Sequence, residues 1–221
     1  RCLCLDGEYA QSIDSVDNED FGSLERKIEL EFPGVLPHVL PVKSVGVQGD
    51  GRTYRHPVVI DPEAHSPFNP DMGWDMIRSV APKITNAFSD INRVLLNVGN
   101  NKIESCSVTP GYLTPERIKK LQEADKLVMD FIYDLDAKGV LDENHKVWQC
   151  PPVLLPLSVN SEGQESIVLR PVSSTEAMTA NFTELPWDKI QELAQEILKI
   201  EGISAVFYDI TNKPPGTIEW E

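Results

Sequence analysis

From Val39 onward the chain spells one pattern of residues twice, and both copies of a repeat must adopt the same unit. Val39-Leu40-Pro41-Val42 returns as Leu154-Leu155-Pro156-Leu157, and Val58-Val59-Ile60 returns as Ile167-Val168-Leu169. Trp74-Asp75-Met76-Ile77 opens a helical pattern, as does Trp187-Asp188-Lys189-Ile190. Ile91-Asn92-Arg93-Val94-Leu95 then matches Ile203-Ser204-Ala205-Val206-Phe207. From Pro41 to Trp74 is 33 residues and from Pro156 to Trp187 is 31, so order and spacing are both kept. Each copy reads strand, strand, helix, strand. In the second helix Ile190, Leu193, Ala194, Ile197 and Leu198 recur at helical spacing, with Gly202 as its stop.

Between the copies, Thr114-Pro115-Glu116 places a capping threonine before a proline suited to the first helical position. Ile118, Leu121, Val128, Phe131, Ile132 and Leu135 supply an apolar stripe, Gly139 ends it, and Asp130, Asp134 and Asp136 form a solvated face. The expected fold is α+β: two tandem β-β-α-β units joined by a long helix. Their mostly antiparallel sheet carries helices on one face. One copy is small for an independent core, so the two should pack together as a pseudo-dimer within the chain.

With 41% hydrophobic and 25% charged residues the chain is ordinary globular material. Its net charge of −15 argues against broad nucleic-acid binding, and no apolar run approaches the roughly 18 residues of a membrane span. Residues 1–7 lack the apolar core of a signal peptide, and a first residue other than methionine reads as a fragment or processed chain. Cys2, Cys4, Cys106 and Cys150 have no zinc-type spacing; Cys2-Leu3-Cys4 alternates like a strand and reads as buried free thiols, a usage that suits a reducing cytoplasm. His38, His56, His65 and His145 are given no metal role. Residues 9–34, with Asp14, Asp17, Glu19 and Asp20, read as a linker or mobile flap.

Two segments exceed what a scaffold needs. In Val45-Gly-Val-Gln-Gly-Asp-Gly-Arg-Thr-Tyr54 the glycines and Asp50 suit a hairpin turn, but Arg52 does not follow from a turn, and its planar fork suits phosphate or carboxylate. In Thr211-Asn-Lys-Pro-Pro-Gly-Thr-Ile-Glu-Trp-Glu221 two prolines stiffen a segment that also carries charges and a tryptophan. There is no Gly-x-x-x-x-Gly-Lys-Ser/Thr loop, no Gly-x-Gly-x-x-Gly fingerprint and no Gly-x-Ser-x-Gly elbow. The residues alone describe an anion-binding α+β module without catalytic machinery of its own.

These two segments, with Ser174–Ala180 and Lys146-Val147-Trp148-Gln149 between them, resemble the C-terminal part of glutamine-hydrolysing GMP synthases over residues 36–221. Arg1-Cys2-Leu3-Cys4 resembles the strand that ends the preceding ATP pyrophosphatase domain. The resemblance divides the chain into that domain's end with a linker (1–34), a first C-terminal repeat (35–110), and the connecting helix with a second repeat (111–221). It implies a C–N ligase that makes GMP from XMP, ATP and glutamine, with Mg alongside ATP. The amidotransferase and pyrophosphatase machinery lie elsewhere, so this chain alone should not turn over. Its implied partners are XMP, those two domains and a possible homodimer. Carried over by motif, the XMP ligands are Asp50, Arg52, Gln149, Lys213 and Glu219, none of them catalytic. Trp220 is expected to anchor the tail in an apolar slot. The family pattern has an arginine near the XMP phosphate where this chain has Ala205, and Arg93 keeps it in the first copy only. The alternative is a dimerisation or interaction module with no nucleotide site.

Overall fold

In a computed structural model, the chain is described over residues 1–4, 18–49, 51–62, 68–99, 102–141 and 146–220, with the backbone alone at 18–20 and 72. The order is α1 (Asn18–Glu31), β1 (Pro37–Val39), β2 (Ser44–Gln48), β3 (Gly51–Ile60), α2 (Asp75–Ala87), β4 (Ile91–Asn97), β5 (Cys106–Val108) and α3 (Pro115–Ala137). There follow β6 (Pro152–Leu155), β7 (Leu157–Val159), β8 (Glu165–Leu169), β9 (Val172–Ser173), β10 (Asn181–Phe182), α4 (Trp187–Ile197) and β11 (Ile203–Asp209).

The main sheet runs β1-β3-β4-β11-β8-β6, with β2 paired to β3. In the first half β1 lies antiparallel to β3, and α2 carries the chain over to β4, parallel to β3. The second half repeats this: β6 antiparallel to β8, then α4, then β11 parallel to β8. The crossover pairs are therefore parallel and the remaining pairs antiparallel. Val58 faces Val94 as Ile167 faces Val206, the register that the repeated sequences imply. The halves join through antiparallel β4 and β11, where Leu96 faces Tyr208, Asn97 faces Phe207 and Leu95 faces Asp209. Leu96 and Tyr208 occupy matching places in their halves, so a pseudo-dyad passes between them. Trp74 and Trp187, the matching helix starts, meet near this junction with ring centroids 6.3 Å apart.

The four helices among the described residues pack on one face, where Ile77, Ile84, Val94, Ile190, Ile197 and Val206 belong to a single core. Among the described residues, the opposite face is covered by thin layers rather than helices. There Leu95, Val168, Ala205 and Phe207 pack with Leu157 and Trp220. The two halves trade their covering segments. β5, which follows the first half's last strand, pairs with β7 of the second half. The tail, which follows the second half's last strand, pairs with β2 of the first through the Gly46–Gly216 bridge.

Several expectations are corrected. Residues 18–31 of the expected flap form helix α1, because Phe21, Leu24, Ile28 and Phe32 recur at helical spacing and dock on the core. Residues 9–17 lie outside the described ones. Thr114 caps α3 as expected, accepting a bond from Arg117 N at 3.3 Å, but Ile118 of the stripe is exposed, and buried Arg117 faces inward beside it. Gly202 is not the cap of α4. The helix ends at Ile197, and Gly202 turns the chain into β11 with φ +82°. The thiols of the first strand are not buried as expected either: Cys4 is exposed and Cys2 half-buried. No helix among the described residues is long and apolar enough to cross a membrane.

Candidate functional site

Central strands covered on both faces leave no room for a polar side chain without a partner. The polar residues of β4 and β11, and the one that follows β8, are accordingly the informative ones. Arg93, Arg170 and Asp209 are wholly buried. Arg93 Nη1 donates to Asp209 Oδ2 at 2.9 Å, and Arg170 Nε lies 3.3 Å from the same oxygen. Trp220 Nε1 donates to it at 3.0 Å, and the Arg93 guanidinium lies 4.6 Å from the centre of the indole. Arg93 Nη2 also reaches Val45 O, Thr217 O and Thr217 Oγ1 at 2.7–3.0 Å. Arg170 donates to Thr211 O. Burial pushes Arg93 down to about 10, and Arg170 acts in the same direction, while Asp209 pulls it back up. It therefore stays charged at neutral pH. One carboxylate serves two guanidiniums, leaving a net positive charge beneath the tail of a strongly acidic chain.

Trp220 is thus an anchor, as expected, but one bonded to Asp209 and stacked under Arg93 rather than only slotted among apolar groups. Arg93 itself is committed to the tail. Ala205, its counterpart, is buried in the core beneath Trp220.

The tail lies along β2. Val47 N donates to Pro215 O at 2.7 Å and Val45 N to Trp220 O at 3.2 Å. Gly46 makes this approach possible, since a Cβ there would stand 2.8 Å from Pro215 O and 2.8 Å from Thr53 Oγ1. Gly46→Ala is expected to push the tail outward and destabilise the chain by about 1–3 kcal/mol, the range for overpacking a tight site. Urea unfolding checks this, and an unchanged midpoint would contradict the close fit.

The expected ligands divide as follows. Arg52 is exposed on β3 opposite Val47, just past the turn at Gly49, whose φ is +64°. Asp50 lies outside the described residues. Lys213 bridges Ala180 on the chain leading into β10, and its Nζ donates to Ala177 O at 2.6 Å. Gln149 is exposed and bridges Val172 of β9, which pairs with β10. Backbone pairing therefore runs from Arg52 through β2, the tail, β10 and β9 to Gln149, a band assembled from distant parts of the sequence. Glu219 stands toward the far end of the tail, ion-paired with Arg1. A cavity of about 590 Å³ opens between the hairpin turn (Gln48, Gly49), the end of α2 (Thr85, Asn86) and Pro214–Pro215.

Sequence reasoning missed Arg170 and Asp209. The repeat held a signal for both, since they match Asp61 and Asn97 of the first half. There Asn97 donates to Asp61 Oδ1, Ile103 N donates to Asp61 Oδ2 at 3.1 Å, and His38 Nε2 lies 3.3 Å away without hydrogen-bond alignment. Gly99 N bonds Asn97 Oδ1 at 3.1 Å as Thr211 N bonds Asp209 Oδ1 at 2.9 Å, so the turn is repeated with different charges. Burial raises the Asp61 pKa, but His38, Asn97 and the Ile103 amide outweigh it and hold the carboxyl below its ordinary value. A depressed folded-state pKa gives stability above about pH 4 that is lost as pH falls through it. Asp61→Asn should flatten the fall of Tm between about pH 5 and pH 2. A melting series that keeps the parent's slope would show that Asp61 does not set it.

The sequence model of the family described as GMP synthase C terminal domain matches residues 24–105 and again 136–220. The chain belongs to this family. A probable glutamine-hydrolysing GMP synthase of Leptospira interrogans (serovar copenhageni) is 41% identical over 190 residues, covering 85% of this chain and 29% of that protein. One from Caenorhabditis elegans is 34% identical, covering 85% and 27%. The GMP synthase of Dictyostelium discoideum is 29% identical across the whole chain and 35% of its own length. The chain thus spans about a third or less of the first two relatives and little more of the third. The family's two matched stretches take in the hairpin and nearly all of the tail.

Proposed function

We propose that this chain is the XMP-binding region of a longer glutamine-hydrolysing GMP synthase and completes the active site of an ATP pyrophosphatase domain. Such a ligase converts XMP to GMP with ATP, Mg and glutamine, and this region alone is inactive. The observation that carries the reading is the pairing of the tail along β2, which puts the two motif segments side by side. Arg52 and Lys213 are suited to the XMP phosphate, one as a fork and one as a point charge. Gln149, Asp50 and Glu219 are suited to ribose or base. The net positive charge buried below favours an anion above it.

The two halves read as a tandem duplication whose internal pairing replaces much of a homodimer interface, the partner being covalently supplied. They are not equivalent as sites. From Pro41 to Val58 is 17 residues, but from Pro156 to Ile167 only 11, and the longer hairpin is the one with Gly-Asp-Gly-Arg. One XMP per chain is therefore expected, on a monomer. Calorimetric titration with XMP, run beside light scattering, tests both. Two equivalent sites would overturn the asymmetry, and no saturable heat would favour the second reading, a purely structural module. One observation supports that second reading: Arg93, the arginine retained from the family pattern, is taken up by Asp209 and the tail.

A further inference from the structure

Residues Arg1–Cys4 add to the outer edge of the sheet beside β6. Leu3 N donates to Leu154 O at 2.8 Å and Leu154 N to Arg1 O at 2.7 Å. Arg117, buried on α3, donates to Leu3 O at 2.8 Å and to Glu165 Oε1 at 2.6 Å, which ties the strand to α3. Alternation along a strand puts Arg1 and Leu3 on one face and Cys2 and Cys4 on the other. The face with Arg1 and Leu3 meets the tail. Leu3 packs against the core that holds Trp220, and the Arg1 guanidinium pairs with the carboxylate of Glu219, next to Trp220. Alternate residues of one strand thus meet Glu219 and the core in which its neighbour Trp220 is buried.

The pair is 43% and 48% exposed, so it contributes little to stability. It does fix where a carboxylate points. An unpaired glutamate at the end of a tail samples several rotamers, and ordering it costs free energy when a ligand binds.

We propose that Arg1 is a positioning residue: it holds the Glu219 carboxylate in its ligand-binding orientation, so that the incoming strand sets the geometry of the tail. This rests on the reading of Glu219 as a ligand of XMP. The effect of Arg1 on XMP binding passes through its contact with Glu219.

The test uses the longer protein that carries this chain, with XMP as varied substrate. Arg1→Ala is expected to raise the XMP KM about five- to tenfold with the melting temperature unchanged, and Arg1→Lys to recover most of the loss. Once Glu219 is alanine, adding Arg1→Ala should change KM no further. If Glu219→Ala raises KM and Arg1→Ala does not, the positioning role is overturned while the substrate site stands. A fall in melting temperature without a change in KM would make Arg1 a structural contact and also overturn the role. If Glu219→Ala itself leaves KM unchanged, the site reading fails and the positioning role fails with it.

Discussion

Asp209→Ala is expected to cost about 3–5 kcal/mol of folding stability, because removing one partner of a buried ion pair leaves its charge uncompensated. Here two guanidiniums would lose their shared carboxylate, and neither has a path to water, since both are fully buried. Domain stabilities are typically about 5–15 kcal/mol in total, so the variant would be marginal at best. Trp220 Nε1 would lose its acceptor as well. Trp220→Ala is expected to cost a similar amount, about 3–5 kcal/mol, by emptying the space beneath Arg93. Urea unfolding curves give both values. A loss below about 1 kcal/mol for Asp209→Ala would mean that the cluster relaxes and that its charges are not what holds the tail.

Lys213→Ala and Glu219→Ala should behave in the opposite way. Both residues keep polar atoms at the surface, and their partners in the structure are Ala177 O and Arg1. Losing either side chain removes a single surface contact, so melting temperatures should hold. A charge-assisted bond to XMP is worth roughly 1.5–3 kcal/mol, and its loss weakens binding by about one to two decades. Melting curves and XMP saturation curves of the longer protein, side by side, decide the matter. Normal saturation by both variants would make the tail a purely structural element.

The repeat was legible because apolar residues on strands and helix faces report their own periodicity. Register followed from it: Val58 and Ile167 were matched by pattern and take matching places in the two parallel pairs. The hairpin was legible from its glycines, and the Trp220 anchor from an aromatic placed after a stiff segment. Helix α1 was hidden because acidic residues upstream diluted a four-residue apolar face. Arg170 and Asp209 were hidden for a different reason. In a sequence a charged residue next to an apolar run looks like the end of a strand, and only the second covering layer turns that end into an interior. Arg93 was visible as the retained family arginine, but a sequence cannot show that its guanidinium meets a carboxylate 116 residues away.

The traded covering segments bear on how such a chain can change over generations. Because β5 serves the second half and the tail serves the first, neither half can be cut out and replaced by that of a cousin without stripping a layer from the half that remains. Substitution within each half is less constrained: Asp61 and Asn97 stand where the other half has Arg170 and Asp209, and the two hairpins differ in length. The two copies are free to diverge in chemistry, but they can be inherited only together.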